Sequence, residues 1–218
     1  MKIIDSRLMS WIQICLLGAL ILTNSYAQTR FRGGIVAGFN ASQLDGDDAA
    51  GYHKVGLNTG VRAVIELKGR YQMTTDILFS QRGSRTTENE ALINRTCTLN
   101  YLEVPVLLNI RDWQKKDDNG KSYYKVAFVV GLSYARLFKS SANPFFPHAG
   151  VLDKFSSNSI AIQGGIQYFQ NAHWGFSAKW ARSVTKLFNP LKYINEPLAG
   201  GLPILREHYL TFQTMYIF

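Results

Sequence analysis

Cysteine is almost missing from this chain: its 218 residues hold two, Cys15 and Cys97. Charge is scarce too, at 18% Asp, Glu, Lys and Arg, against roughly 25% in an average soluble domain. Beyond the extreme N-terminus there is no apolar run of the roughly 18 residues that a membrane-crossing helix needs, which excludes a helical bundle in the bilayer. The shortage of cysteine excludes a disulfide scaffold. Disorder is excluded by what is plentiful, since 13 Phe, 11 Tyr and 4 Trp carry ample apolar surface to drive folding. An all-β protein with an unusual surface remains.

The first 27 residues read as a secretory leader. Lys2 and Arg7 precede an apolar stretch from Met9 to Leu22, and Ser25-Tyr26-Ala27 offers small residues where a signal peptidase cuts. Residues 28–218 then form one domain. The mature chain keeps only Cys97, so no internal disulfide is expected. Losing Lys2, Arg7 and Asp5 leaves 22 basic against 14 acidic residues, a net charge of +8. A basic balance suits nucleic acid or an anionic membrane surface. Export selects the membrane, so no nucleic-acid partner is expected.

Period-two alternation marks eight strands, at residues 31–41, 55–67, 71–82, 98–110, 124–135, 159–169, 174–185 and 207–218. In the fifth, Tyr124, Val126, Phe128, Val130, Leu132 and Tyr134 form a large apolar face, while the other face is mostly small. Small residues recur on the second face of the other segments, as at Gly34, Gly38, Gly56, Gly60, Ala161, Gly165, Gly175 and Ala181. Such residues suit the crowded lumen of an eight-stranded barrel, and the large apolar face must then look outward, into lipid. From Tyr124 to Tyr134 the strand covers roughly 25 Å of membrane thickness at a barrel's usual tilt. Short turns alternate with long loops, as in an outer-membrane barrel. The connection at 111–122 is long for a periplasmic turn, although Asp118-Asn119-Gly120 supplies a reversal. The expected fold is therefore an eight-stranded antiparallel up-and-down transmembrane β-barrel.

Aromatic girdles are expected at Tyr71, Tyr124, Trp174, Tyr216 and Phe218 on the periplasmic side. Tyr134, Phe39 and Phe79 are expected towards the outer side. The alternation Leu210, Phe212, Thr214, Tyr216, Phe218 ends on a C-terminal aromatic, which resembles the signal read by the barrel-insertion machinery.

Four segments, at 33–42, 51–58, 77–84 and 99–108, carry a resemblance to the PorT-like outer-membrane β-barrel family of Bacteroidetes. Its most specific piece is Asn100-Tyr101-Leu102-Glu103-Val104-Pro105, because a carboxylate and a proline are rare inside an apolar strand. The resemblance implies the eight-stranded barrel. The family's founding type is tied to protein secretion and gliding machinery, and a link to secretion is what the resemblance implies here.

The inward face is expected to carry Arg32, Arg62, Arg82, Lys125 and Lys179 against Glu66, Asp76, Glu103 and Glu207. Buried charges need partners, and a narrow lumen brings them together, with Arg62 or Arg82 expected on Glu103. This balance predicts a closed, charge-paired interior without a pore. Arg136, Arg182 and His208 break the outward apolar pattern near the outer rim, where an Arg can meet lipopolysaccharide phosphates or snorkel into water.

Other chemical signals are sparse. Asp45-Gly46-Asp47-Asp48 lacks the remaining ligands of a calcium loop. His53, His148, His173 and His208 show no metal spacing. Ser183 and His208 could meet at the outer rim, but no orienting acid accompanies them. No cofactor, metal or catalytic residue is expected. Two loops are unusually apolar, at 143–148 and 197–203, and would serve as a lid or as a contact surface. The reading is a non-enzymatic barrel, structural or partner-binding through its loops, surrounded by outer-membrane lipid and lipopolysaccharide. A small-solute channel and a lipid A-modifying enzyme are the rival readings.

Overall fold

A computed structural model describes residues 31–47, 51–86, 95–116, 120, 122–193 and 195–218. The expected leader at 1–27, Asp48 of the acidic loop, and Asp118 and Asn119 of the expected reversal lie outside the described residues.

Eight strands follow one another around a closed ring: β1 (Phe31–Asp45), β2 (Lys54–Glu66), β3 (Tyr71–Arg85), β4 (Thr96–Lys116), β5 (Ser122–Ala142), β6 (Asn158–Phe169), β7 (Trp174–Ser183) and β8 (Arg206–Ile217). Every neighbour is antiparallel and sequential. The ring shuts where β1 meets β8, with Gly34 opposite Ile217 and Asp45 opposite Arg206. Phe218 adds to the seam by donating its N–H to the Gly33 carbonyl at 2.9 Å. Closure leaves no sheet edge among the spanning segments, the condition for strands in hydrocarbon.

The alternation of side chains decides which way each strand faces. Phe128, Val130, Leu132 and Tyr134 are exposed on β5, while Ala127, Val129, Ser133 and Ala135 between them are buried. Glycines on the inner face let adjacent strands coil tightly. A Cβ on Gly60 would stand 2.0 Å from the Ile77 carbonyl oxygen, and one on Gly131 would stand 2.1 Å from that of Val106. With a side chain there, the strands would have to separate.

Strands β4 and β5 are the longest, at 21 residues each. The connection expected as a long turn is instead a ribbon that continues their pairing to Lys116 opposite Ser122. It projects past the short-turn rim, because β3 begins only at Tyr71, opposite Ile110. At the other rim, the loops at 143–157 and 184–205 fold inward. Phe146, Val151, Phe155, Leu187, Phe188 and Leu205 join Leu44, Cys97, Leu99, Tyr101 and Ala135 in one apolar cluster across the outer half of the barrel. His148, fully buried, ties the two loops together by a 3.1 Å contact of its Nε2 with the Pro203 carbonyl. Each apolar loop thus divides its residues: Phe146 and Leu202 pack down, whereas Phe145 and Leu198 stay exposed.

Candidate functional site: the charged interior and the two rims

Beneath the apolar cluster the interior turns polar, because every second residue of several strands brings a charge or an amide to one narrow space. Arg62 and Asp76 face each other in the β2–β3 register. The guanidinium grips the carboxylate with two bonds of 2.7 Å, from Nε and Nη2. Both side chains are sealed from solvent. The bidentate fork is the strongest geometry available to such a pair.

A second centre forms around Arg82 on β3. Its Nη2 lies 2.5 Å from Glu103 on the next strand, and Nη1 lies 4.0 Å from Glu207 on β8, across the lumen. Of the two partners expected for Glu103, Arg82 is the one that reaches it. The guanidinium carbon sits 3.9 Å from the Tyr209 ring centroid and 4.9 Å from that of Tyr101, so aromatic faces also offset its lost hydration. Glu103 accepts further bonds from Gln163 at 2.7 Å and from the Tyr209 hydroxyl at 3.0 Å. Glu207 accepts one from Ser159 at 3.0 Å. Lys179 is buried in the same interior.

Sequence reasoning singled out the charges but not the uncharged groups that hold them. Asn40 donates to Ser80 at 3.0 Å and accepts from Thr211 at 2.9 Å, while Gln213 donates to Asn58 at 2.7 Å. The available signal was Asn at mid-strand, a position that Asn generally avoids.

Three of the expected lumen residues stand elsewhere. Arg32 and Glu66 pair at 2.7 Å at the short-turn rim, partly exposed, and Arg111 joins the same Glu66 at 2.7 Å. Lys125 leaves the interior altogether: its ammonium lies 5.0 Å from the Trp113 centroid and 5.4 Å from that of Tyr168. Its place along the strand is the reason. Lys125 lies on the stretch of the β4–β5 ribbon that runs on past Ile110, where β3 has not yet begun, so the ring does not enclose it on that side. Near it on the ribbon, Trp113 adopts a left-handed φ of 59°. The buried charges are therefore Arg62, Arg82 and Lys179 with Asp76, Glu103 and Glu207 in the lumen.

At the short-turn rim, Trp174 and Tyr216 meet edge to face at 5.0 Å, and Phe218 meets Tyr216 at 5.6 Å. Tyr71 is exposed on the same level, and the Tyr124 ring lies under Arg111 at 4.6 Å. Phe39 pairs with Phe212 at 5.3 Å, midway along its strand rather than at the outer girdle. At the outer rim, Tyr134 and Arg136 both donate to Asn158 at 2.8 Å. Arg182 and His208 share Asp45, at 3.4 and 3.2 Å. Ser183 does not meet His208, because it is buried in the lumen, 3.2 Å from Ser159, while His208 turns to Asp45. Of the acidic loop's described residues, Asp45 is engaged as above and Asp47 accepts a hydrogen bond from the Ser84 hydroxyl.

Closed sheet, apolar exterior and sealed ionic interior together describe a barrel built for a bilayer, and the family comparison agrees. Residues 26–189, more than half of the chain, match the model of the outer membrane protein beta-barrel domain. The chain belongs to that family. It is an outer-membrane β-barrel protein. Solved structures with a similar fold include Ail, the attachment invasion locus protein of Yersinia pestis. Ail is 13% identical, with 87% of this chain and 99% of Ail covered and a TM-score of 0.47. Another is Neisserial surface protein A, 9% identical, with coverage of 86% and 97% and a TM-score of 0.45. Ail was also solved in complex with the heparin analogue sucrose octasulfate, matching at 12% identity, 87% and 99% coverage and a TM-score of 0.45. No curated protein matches the chain.

Proposed function

We propose that this outer-membrane barrel is non-conducting and non-enzymatic, and that it presents its outer loops to a partner at the cell surface. The observation that carries the reading is the sealed ion-pair network of Arg62, Asp76, Arg82, Glu103 and Glu207 beneath the apolar loop cluster. A solute path would have to break pairs whose separation in a dry interior is strongly unfavourable. Above that seal, the exposed side chains of Phe145, Leu191 and Leu198 offer apolar contact area. Beside them, Lys154, Lys186, Lys192 and Tyr193 line a cleft of about 430 Å³. The PorT-like resemblance makes secretion machinery a partner class for this surface, and Arg136 offers a guanidinium to lipopolysaccharide phosphates at the rim. Phe218 at the seam serves the barrel-insertion machinery.

Planar-bilayer recordings on folded protein are expected to show no discrete current steps. Reproducible unitary currents from monodisperse material would overturn the reading in favour of a small-solute channel. Partner capture from outer membranes is expected to fail for the double variant Leu191→Ser, Leu198→Ser while its barrel stays folded. Equal capture by parent and variant would place the contact away from these loops.

A further inference from the structure

The outward wall of a spanning barrel is normally an even coat of large apolar side chains, and here it is interrupted. Across β6, β7, β8 and β1 the small residues Ala37, Thr214 and Ala178 form the floor of a groove of about 490 Å³. Phe39, Phe212 and Tyr168 are among its walls. Thr214 and Phe176 lie opposite each other one outward rung above Trp174 and Tyr216, so the groove opens just inside the periplasmic girdle. Its surroundings at that depth are acyl chains.

The β4–β5 ribbon brings a cation to the same place. Trp113 is the only non-glycine residue with positive φ among the described residues, and Asp112 holds it there by accepting its N–H at 2.9 Å. A left-handed conformation is costly for a bulky side chain, so the surrounding structure must impose it. Near Trp113 on the ribbon, Lys125 holds its ammonium 5.4 Å from the ring of Tyr168, one of the residues that wall the groove. Aromatic faces steady an ammonium without neutralising it. No carboxylate among the described residues forms an ion pair with Lys125.

We propose that this face seats one phospholipid of the periplasmic leaflet, with an acyl chain in the groove and the headgroup phosphate on Lys125. Groove and cation complement the two ends of such a molecule. Lipopolysaccharide belongs to the opposite leaflet, and a free anion would leave the groove unused. The proposal is independent of the loop-partner reading, because neither groove nor lysine touches the outer loops.

Native mass spectrometry of the folded barrel, released from detergent in the presence of phosphatidylglycerol or diacylglycerol, tests it. One phosphatidylglycerol is expected to stay bound, and diacylglycerol, which lacks the phosphate, is expected to leave. Lys125→Gln should weaken retention about tenfold, the effect of losing one charge-assisted contact. Ala178→Phe, which fills the groove floor, should abolish it. The shift in gel mobility between unheated and heated samples reports that each variant has folded. Equal retention of the two lipids, or equal retention by parent and both variants, would overturn the proposal. A dimer that disappears in Ala178→Phe would overturn it too, by giving the groove to a second copy of the chain.

Discussion

Glu103 shows how much of this barrel depends on single side chains. Its carboxylate meets the Arg82 guanidinium at 2.5 Å and takes two further hydrogen bonds, from Gln163 and Tyr209. All four groups are buried. Glu103→Ala would strand the Arg82 charge beside Glu207 alone, and removing one partner of a buried pair costs about 3 to 5 kcal/mol. The unfolding midpoint in detergent should fall accordingly. Glu103→Gln keeps the acceptor oxygen and should fall less. An unchanged midpoint for the alanine variant would mean that water reaches the site.

At the scale of elements, the loops at 143–157 and 184–205 share one apolar cluster because both insert apolar side chains into the barrel mouth. Cys97 lies beneath them, at the outer end of β4 and beyond the level of Arg136, in the same cluster as Phe146. Burial pushes its thiol up to about 12, with Asp47 and Glu207 adding to the effect, so below that pH the reactive thiolate is scarce. A maleimide should label Cys97 slowly in the folded protein and completely after denaturation. Phe146→Ala removes a buried side chain of that cluster and should cost about 3 to 5 kcal/mol of local packing. It should speed labelling of Cys97 while leaving the barrel folded. Labelling at the parent rate would show that the loops are held by other contacts, with the bond from His148 to Pro203 the first to test.

For the molecule as a whole, the consequence of closure is resistance to unfolding. Twelve residue pairs register β1 against β8, so no strand can leave without opening the seam. Unboiled protein in detergent should migrate differently from boiled protein on a gel and should fractionate with outer membranes. Identical mobility with recovery from the soluble periplasm would contradict a closed ring. The same closure explains how a chain so rich in exposed Phe, Val and Ile stays ordered: its apolar coat is solvated by lipid, and its polar backbone groups are spent on neighbouring strands.

The alternation along Tyr124 to Ala135 is enough to distinguish strand from helix, and side-chain size is enough to say which face looks inward, because inward positions such as Gly60 and Gly131 lie too close to the neighbouring strand to carry a side chain. Strand number, order and the lipid-facing wall were therefore legible in the sequence. Pairing was not. The sequence offered Arg62 and Arg82 equally to Glu103, and only the register of β2 on β3, which sets Arg62 against Asp76, left Arg82 for Glu103. Lys125 belongs inward by alternation, but it lies where β4 and β5 run past the start of β3, and there its ammonium reaches the Trp113 and Tyr168 rings instead. Ser183 and His208 were close in register and faced opposite sides. Period-two patterning is local and survives in any register, so the sequence by itself determined the barrel. Partners across the lumen, the outward turn of Lys125 and the double role of the apolar loops depend on which strands meet and where, and those the tertiary structure alone decided.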